Sequence, residues 1–466
     1  MPLAPASYYD QKLTWTNCSQ NGEAFECSTL KVPLDYRSPT RSISLSVLKR
    51  PADGKSLGSL VVNPGGPGAS AVEYAMFATN VFSAGVTRRY DVVGLDPRGV
   101  GRSAPIRCID TLQTDEWLSM DDTPDTAAEI ARLAAFDTMF AQACKKNTGV
   151  VLGHVSTVEA AADMDLLRAA LGETKLNYFG ASYGTLLGAT YAQEFPTRVG
   201  RFVLDGAVSP TASADTAAKA QAAGFETALT AFAANCLTQS CPFGDSKAAV
   251  RAKVASFLLE LDKHPLPTGS SRVLTEQLAE TGVVGALYSR DDWVVLRLAL
   301  IQAFDGNGGG MLALADGYSR RVNGGYTSSL LEANVAISCL DSGTAGTSVA
   351  DVESRAAGYE SVAPIFGASS RWSRLACHGW PVTAEFRPPA LTAAGAGPIV
   401  VIGTTRDPAT PYAWAKELAS TLTSGLLLTR DGDGHTGYRQ GSTCVDTTVD
   451  AYLVAGTVPK NGKRCS

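Results

Sequence analysis

The stretch Gly180-Ala181-Ser182-Tyr183-Gly184-Thr185 guides the interpretation of the rest of the chain. It follows a strand-like apolar run at residues 175–179 and precedes a helix-like run at residues 186–193. A serine between two glycines at a strand-to-helix bend is held in a strained conformation that exposes its hydroxyl at a helix N-terminus. This pattern predicts that Ser182 is a nucleophile. An ordinary turn between a strand and a helix is the alternative, since glycine is frequent in this chain.

Length and composition favour a large globular protein. The chain has 466 residues, of which 45% are hydrophobic, so it can bury a sizeable core. The formal net charge is −5 and no dense block of Lys and Arg occurs, so nucleic acid and anionic membrane surfaces are not expected partners. No run of about 18 apolar residues is present, so no membrane span is expected. The oligomeric state is not predictable from this sequence.

Ten cysteines occur in near pairs along the chain. We expect five disulfides in an oxidising compartment, with reduced, buried cysteines as the alternative. The expected pairs are Cys18 with Cys27, Cys108 with Cys144, Cys236 with Cys241, Cys339 with Cys377, and Cys444 with Cys465. The first residues lack the features of a signal peptide, so we expect a secreted protein whose leader was removed and replaced by a start Met.

No metal or cofactor site is expected. There is no Cys-x-x-Cys spacing, and only four histidines are available as ligands. The turn at residues 96–103 is rich in glycine but lacks the Gly-Lys-Ser/Thr ending of a phosphate-binding loop. We expect Asp96 and Arg98 in this turn to form a structural ion pair.

Alternating strand and helix patterns predict an α/β fold interrupted by a helical insertion. Strand-like runs occupy residues 57–63, 90–96, 202–205, 398–404 and 425–430, and residues 157–171 resemble a helix capped by Thr157. Between residues 210 and 380 Ala-rich helical patterns replace this alternation. We therefore expect an α/β-hydrolase core, a mostly parallel sheet flanked by helices, built from residues 1–209 and 381–466. Residues 210–380 are expected to form a mainly helical cap.

A Pro/Gly-rich loop, Pro64-Gly-Gly-Pro-Gly68, follows the strand at residues 57–63. In this fold an N–H group from such an early loop joins the N–H group after the nucleophile to form the oxyanion hole. Gly66 and Tyr183 are the predicted donors, and Gly65 is the less favoured choice in the loop. A plain turn is the alternative.

A nucleophilic serine needs a general base and a carboxylate that orients the base. In this fold the chain order is serine, acid, histidine. His435 lies in the loop after the last predicted strand, and Asp407 follows the strand at residues 398–404. The sequence therefore predicts a triad of Ser182, Asp407 and His435. The rival carboxylates are Asp205, Asp431 and Asp433.

Several motifs carry a resemblance to a known family. In chain order they are Val32-Pro-Leu-Asp-Tyr36, Asn63-Pro-Gly-Gly-Pro-Gly68, Asp96-Pro-Arg-Gly-Val-Gly-Arg-Ser103, Gly180-Ala-Ser-Tyr-Gly-Thr185, Ala336-Ile-Ser-Cys-Leu-Asp341, Cys377-His-Gly-Trp-Pro381 and Asp407-Pro-Ala-Thr-Pro411. With these, nearly the whole chain resembles the secreted tripeptidyl aminopeptidases of actinobacteria, which are relatives of the proline iminopeptidases. Pro64 replaces the histidine of the proline iminopeptidases, which favours the tripeptidyl branch.

The resemblance implies release of short peptides from free N-termini by serine acyl-enzyme chemistry. Ser182, Asp407 and His435 would form the triad, with Gly66 and Tyr183 as the oxyanion hole. A carboxylate in the cap would hold the substrate's ammonium group. Asp341 is the first candidate because it lies in a matched motif, and the others are Glu332, Glu276, Glu280, Asp291 and Asp292. An esterase or lipase with the same triad is the second hypothesis, and an inactive binding protein is the third.

Overall fold

A ten-stranded sheet lies at the centre of the computed structural model, which describes residues 1–386 and 390–466. In chain order its strands are β1 (Thr16–Asn17), β2 (Glu26–Pro33), β3 (Ser42–Arg50), β4 (Ser59–Asn63), β5 (Asp91–Leu95), β6 (Leu176–Ala181), β7 (Val199–Asp205), β8 (Ile399–Arg406), β9 (Gly425–Asp433) and β10 (Lys463–Cys465). Across the sheet the order is β1-β2-β3-β5-β4-β6-β7-β8-β9-β10. The first three pairings are antiparallel and the others are parallel, which confirms the predicted fold class.

Helices flank this sheet, and its two faces are both buried. Alternate side chains of β4 enter different hydrophobic clusters: Val61 belongs to one, while Leu60 and Val62 belong to the other. Buried parallel strands of this kind are almost uniformly apolar. The helices outside the insertion are Ala6–Tyr9, Ala71–Met76, Ala78–Val81, Ala84–Thr87, Thr111–Leu118, Ala127–Thr148, Thr157–Ala170, Tyr183–Glu194, Tyr412–Thr421 and Thr443–Ala455.

Residues 214–377, here called the helical insertion, add helices and two short hairpins but none of the ten sheet strands. Its helices are Ala214–Leu237, Lys247–Lys263, Glu276–Leu287, Trp293–Phe304, Gly309–Ser319, Leu330–Ser342, Val349–Glu353, Ala356–Glu360 and Gly367–Trp372. A third hydrophobic cluster consists mostly of side chains from residues 222–366. The cap with bounds at 210 and 380 stays a prediction, and residues 387–389 of the predicted second core segment lie outside the described residues. No helix in the described ranges has the length and apolarity to cross a membrane.

All five predicted cysteine pairs are bonded. The disulfides are Cys18–Cys27, Cys108–Cys144, Cys236–Cys241, Cys339–Cys377 and Cys444–Cys465. Four of them have at least one buried cysteine, and both cysteines of the Cys18–Cys27 bridge are half-buried, as is usual for structural bridges. Reduced cysteines, the alternative, are not what the structure shows.

The bridge between Cys339 and Cys377 is expected to stabilise the helical insertion. It closes a loop with a sequence separation of 38, whereas the Cys236–Cys241 bridge closes one of only 5. Since loop-closure entropy grows with length, replacing both Cys339 and Cys377 by alanine should lower the free energy of unfolding by about 2–4 kcal/mol. The matched Cys236/Cys241 double variant should lose roughly 1.5 kcal/mol less. Urea denaturation measures both, and an equal loss would contradict the loop-length explanation.

The turn after β5 contains a different ion pair from the one expected. Arg98 is 0% exposed, and its guanidinium donates to both oxygens of Asp163 at 2.7 and 2.8 Å. Asp96 instead accepts hydrogen bonds from Ser70 Oγ at 2.7 Å and from the N–H of Val72 at 3.0 Å. The predicted Asp96–Arg98 pair is therefore wrong, although both side chains do shape the turn.

Candidate active site

Ser182 lies at the bend between β6 and the helix Tyr183–Glu194, with backbone angles φ 55° and ψ −126°. A non-glycine residue with these angles is strained, and the contacts around it hold the bend in place. The Ser182 N–H donates to the carbonyl of Asp205 at 2.8 Å. A Cβ on Gly180 would lie 2.3 Å from the carbonyl oxygen of Gly184, so only glycine lets strand and helix approach this closely. The bend has the geometry that the motif predicts.

His435 and Asp407 form a hydrogen-bonded pair at the carboxyl edge of the sheet. The two Asp407 oxygens lie 2.9 and 3.0 Å from His435 Nδ1. Asp407 also accepts hydrogen bonds from the N–H groups of Ala409 (3.0 Å), Thr410 (2.8 Å) and Thr436 (3.0 Å). These donors fix the carboxylate, which in turn fixes the orientation of the imidazole ring.

Burial and charge act on His435 in opposite directions. Burial alone lowers the pKa of His435, but the charge and hydrogen bond of Asp407, together with the charge of Asp205, raise it above its usual value. A raised pKa makes the imidazole a better proton acceptor when a hydroxyl is presented to it.

The Nε2 atom of His435 is available to a nucleophile. It is buried and has no hydrogen-bond partner among the described residues, so a Ser182–His435 hydrogen bond is not formed in this structure. Both residues pack against the end of β7: Asp205 accepts from Ser182, and His435 Cε1 lies 3.1 Å from the position of a Cβ on Gly206. Hydrogen bonds of this kind often tighten only when substrate binds.

The rival carboxylates have other partners. Asp205 accepts hydrogen bonds from the N–H groups of Gly437 and Tyr438, both at 2.8 Å, and so anchors the histidine loop by its backbone. Burial raises the pKa of Asp205 to about 7. Asp431 and Asp433 both bind Arg406, at 3.1 and 2.5 Å. Of the four acids, only Asp407 contacts the imidazole.

Two backbone N–H groups near Ser182 are unoccupied. In the described part of the chain, neither Gly66 N–H nor Tyr183 N–H donates a hydrogen bond, whereas Gly65 N–H donates to Asn63 Oδ1 at 2.9 Å. A Cβ on Gly65 would lie 2.8 Å from Ser182 Cβ, which shows how closely this loop approaches the serine. The geometry thus favours Gly66 over Gly65 as the loop donor.

A cavity of about 520 Å³ opens beside Ser182 and is bounded on the other side by the helical insertion. Gly66, Ser182 and Tyr183 line it from the sheet side. The insertion supplies other lining residues, among them Gln221, Gln277, Asn334, Asp341 and Trp372. A volume of this size is in the range of sites that enclose a small ligand.

The structure brings Asp341 to this cavity but not Glu332. Asp341 accepts hydrogen bonds from Thr157 N–H at 3.0 Å and Thr157 Oγ1 at 2.5 Å, and burial raises its pKa to about 6. Glu332 lines a different cavity, where Oε1 accepts from the N–H groups of Cys108 and Ile109 at 2.9 Å. Both carboxylates therefore already have protein partners.

The helix cap predicted at Thr157 is also wrong, and the difference affects the site. Ser156 Oγ accepts from Glu159 N–H and so caps the helix Thr157–Ala170. Thr157 Oγ1 is thereby left to contact Asp341 and the hydroxyl of Tyr183, the latter at 2.5 Å.

Three residues of the site carried no recognisable signal in the sequence. The backbone carbonyl of Tyr288 accepts a hydrogen bond from the backbone N–H of His435 at 2.8 Å. The tyrosine ring also packs against the imidazole, with the two ring centroids 5.3 Å apart. Asp122 and Asp137 line the cavity that contains Ser182. No motif surrounds any of the three, and only the folded chain brings them to the site.

A serine at a strained bend, a histidine–aspartate pair and unoccupied N–H groups, all at the carboxyl edge of this sheet, define a serine hydrolase of the α/β-hydrolase fold. The family model described as TAP-like protein matches residues 363–465, which include both Asp407 and His435. It covers only the final part of the chain, so relatives of full length are more informative.

Relatives align with almost the entire chain. Serine protease Hip1 of Mycobacterium tuberculosis (strain ATCC 25618 / H37Rv) is 38% identical over 477 positions, covering 98% of this chain and 91% of that protein. Carboxylesterase B of the same strain is 37% identical over 451 positions, covering 94% and 86%. Tripeptidyl aminopeptidase of Streptomyces lividans is 29% identical over 487 positions, covering 97% and 86%. The chain belongs to the α/β-hydrolase family of tripeptidyl aminopeptidases and related serine peptidases.

Proposed function

We propose that this protein is a secreted serine exopeptidase that releases short peptides, specifically tripeptides, from free N-termini. The observation that carries the proposal is the bounded cavity of about 520 Å³ that contains Ser182 and is covered by the helical insertion. Its volume suits a few residues rather than a long segment.

In the proposed mechanism Ser182 Oγ attacks the scissile carbonyl while His435 Nε2 accepts the hydroxyl proton. Asp407 holds the imidazole through Nδ1 and stabilises the imidazolium that forms. The proton then passes to the leaving amine, which departs as the acyl-enzyme forms, and water releases the short peptide by the reverse sequence of proton transfers. The N–H group at His435 Nδ1 donates to both oxygens of Asp407, which supports this orientation of the ring.

The oxyanion of each tetrahedral intermediate would be held by the N–H groups of Gly66 and Tyr183. Both groups lack partners among the described residues, so they need no rearrangement before they donate. Preorganised donors of this kind each contribute about 10²–10³-fold to the rate of acyl transfer. Asp341, which reaches the Tyr183 hydroxyl through Thr157, is proposed to position this part of the site.

Secretion is part of the proposal because of the disulfides. Five bridges use all ten cysteines, and such bridges persist in oxidising compartments.

An esterase acting through the same triad is the second candidate. It is favoured by the 37% identity to a protein named carboxylesterase B and by apolar cavity-lining residues such as Leu186 and Trp414. The fold alone does not select between an ester and an amide.

Three anilides separate the candidates. We expect the purified protein to cleave Ala-Ala-Ala para-nitroanilide with kcat/KM about 10²-fold or more above two analogues that lack the charged amine. One analogue is N-acetylated, and the other carries propionyl in place of the first alanyl group, which removes the amine without adding bulk. Release of para-nitroaniline, followed at 405 nm over a range of substrate concentrations, gives kcat and KM for each anilide.

Short-chain para-nitrophenyl esters serve as the comparison series. If acetylation leaves anilide cleavage unchanged, the aminopeptidase proposal fails. If, in addition, the esters are the better substrates, the esterase is supported instead.

A further inference from the structure

Asp137 is a buried acid that the proposed catalytic steps do not use. It lies within the helix Ala127–Thr148 and is 6% exposed. No described residue forms a hydrogen bond or an ion pair with its carboxylate, and burial alone raises its pKa to about 7. An isolated carboxylate in such a place is costly, since nothing in the protein replaces the water it has lost.

The position of Asp137 indicates where a partner would come from. Its side chain lines the cavity that contains Ser182, as do Leu133 and Trp117, and neither of these forms a hydrogen bond with it. A buried polar group without a protein partner needs an explanation, and a ligand in the cavity can supply one. The ligand group that fits is a compact cation with several N–H donors.

A second carboxylate that lines this cavity also lacks a hydrogen-bond partner. Asp122 Oδ1 is buried without a hydrogen-bond partner among the described residues. Burial, and then the negative charges of Glu280 and Glu276, raise the pKa of Asp122 well above its usual range. The surroundings of Asp122 therefore favour positive charge.

A metal ion explains these groups less well than an ammonium group. Within the described ranges, the acids close enough together to share an ion are Asp121, Asp262 and Glu276, a set that contains neither Asp122 nor Asp137. Trp372, which also lines the cavity and is 2% exposed, has a buried Nε1 donor without an acceptor among the described residues. Unpaired acceptors and an unpaired donor in one cavity match a peptide, which has an ammonium group at its end and carbonyl groups along its backbone.

We propose that Asp137 binds the protonated amino terminus of the peptide substrate, and that Asp122 adds to the preference of the same cavity for positive charge. This assignment rests on the proposed function and gives the free-amine specificity to a residue from the segment before the insertion. It replaces Asp341 in that role, because both oxygens of Asp341 already accept hydrogen bonds from Thr157.

The test is the substitution Asp137→Asn, which keeps the size of the side chain and removes its charge. We expect kcat/KM for Ala-Ala-Ala para-nitroanilide to fall about 30-fold or more, mainly through KM, because a buried charge pair with the substrate is lost. The propionyl-Ala-Ala anilide, which has no amine, should change less than about threefold. Asp122→Asn should shift the same ratio in the same direction.

Matched measurements distinguish this effect from damage to the fold. Asp245→Asn changes an exposed aspartate of the insertion and should leave both anilides unaffected. Hydrolysis of para-nitrophenyl acetate, which has no amine, reports the catalytic residues, and Asp137→Asn should slow it no more than it slows the propionyl anilide. Asp137→Ala provides a second variant if the asparagine variant does not fold.

The proposal is overturned if Asp137→Asn keeps the wild-type preference for the free amine, or if both anilides lose equally. It is also overturned if Asp137→Asn slows only the cleavage of N-acetylated peptides that carry a lysine side chain, since Asp137 would then bind that side chain and not the amino terminus. If the wild-type protein itself shows no preference for the free amine, the proposed function has failed rather than the assignment of Asp137.

Discussion

Replacement of Ser182 by alanine should lower kcat for the tripeptide anilide by about a millionfold, to the level left by binding and the oxyanion hole. The reason is that no other described hydroxyl occupies the bend after β6, and without it the acyl-enzyme cannot form. Progress curves at high enzyme concentration measure the residual rate. Substrate binding should be nearly unchanged, so an inactive variant that still binds the tripeptide product is expected.

Backbone strain at Ser182 provides an independent check on the same residue. With φ at 55° and ψ at −126°, alanine keeps the strain, whereas glycine relieves it. Ser182→Gly should therefore be more stable to urea than Ser182→Ala by about 1 kcal/mol, although both are inactive.

Ser420→Ala, at an exposed serine, is the control and should retain full activity. Hydrolysis of the anilide by Ser182→Ala at more than about a hundredth of the wild-type rate would be far above the residual expected and would refute Ser182 as the nucleophile.

Features that depend on residues close in sequence were the most predictable. The bend at Ser182 needs a strand, a helix and small residues at Gly180 and Gly184, all within about a dozen positions. Disulfides between neighbouring cysteines are likewise local, and all five were confirmed. The His435–Asp407 contact was predictable for a different reason: parallel strands place their carboxyl ends along one edge, so residues after β8 and β9 are neighbours.

Features that depend on distant partners were not predictable. Asp96 and Arg98 are two positions apart, which suggested a pair, but the partner of Arg98 is Asp163, 65 residues away. Asp137 was harder still to predict as a site residue, since what distinguishes it is the lack of a hydrogen-bond partner. A carboxylate on a helix is usually solvated, and only the packing of the folded chain shows that this one is buried. The sequence ranked Asp341 first because it lies in a matched motif, but motif membership does not show whether a side chain already has hydrogen-bond partners.

The substitution Arg98→Met should be the most destabilising single change outside the active site, costing about 3–5 kcal/mol of unfolding free energy. Besides Asp163, the guanidinium donates to the carbonyl groups of Pro33 and Leu34 near the end of β2, at 2.9 and 3.0 Å, and to that of His154 at 2.9 Å. The three carbonyl groups would lose this donor, and Asp163 would keep only the hydrogen bond from the Tyr36 hydroxyl at 2.7 Å. Urea denaturation at neutral pH measures the loss, and Arg132→Met, at an exposed arginine, should cost less than about 0.5 kcal/mol.

The pH dependence of this loss tests its cause. Burial raises the pKa of Asp163 and Arg98 lowers it, so removal of Arg98 moves the folded-state pKa of Asp163 further above its unfolded value of about 3.9. Stability from such a group is present below the unfolded pKa and is lost as pH rises through the folded one, so the variant should be least impaired near pH 4 and most impaired near pH 8. The double variant Arg98→Met/Asp163→Asn also removes the charge of Asp163, and Glu159, the other buried acid beside Arg98, still contacts His154 at 3.0 Å. It should therefore recover part of the loss at pH 8. A loss that is equal at both pH values would mean that packing, and not the unpaired carboxylate, accounts for the effect of Arg98.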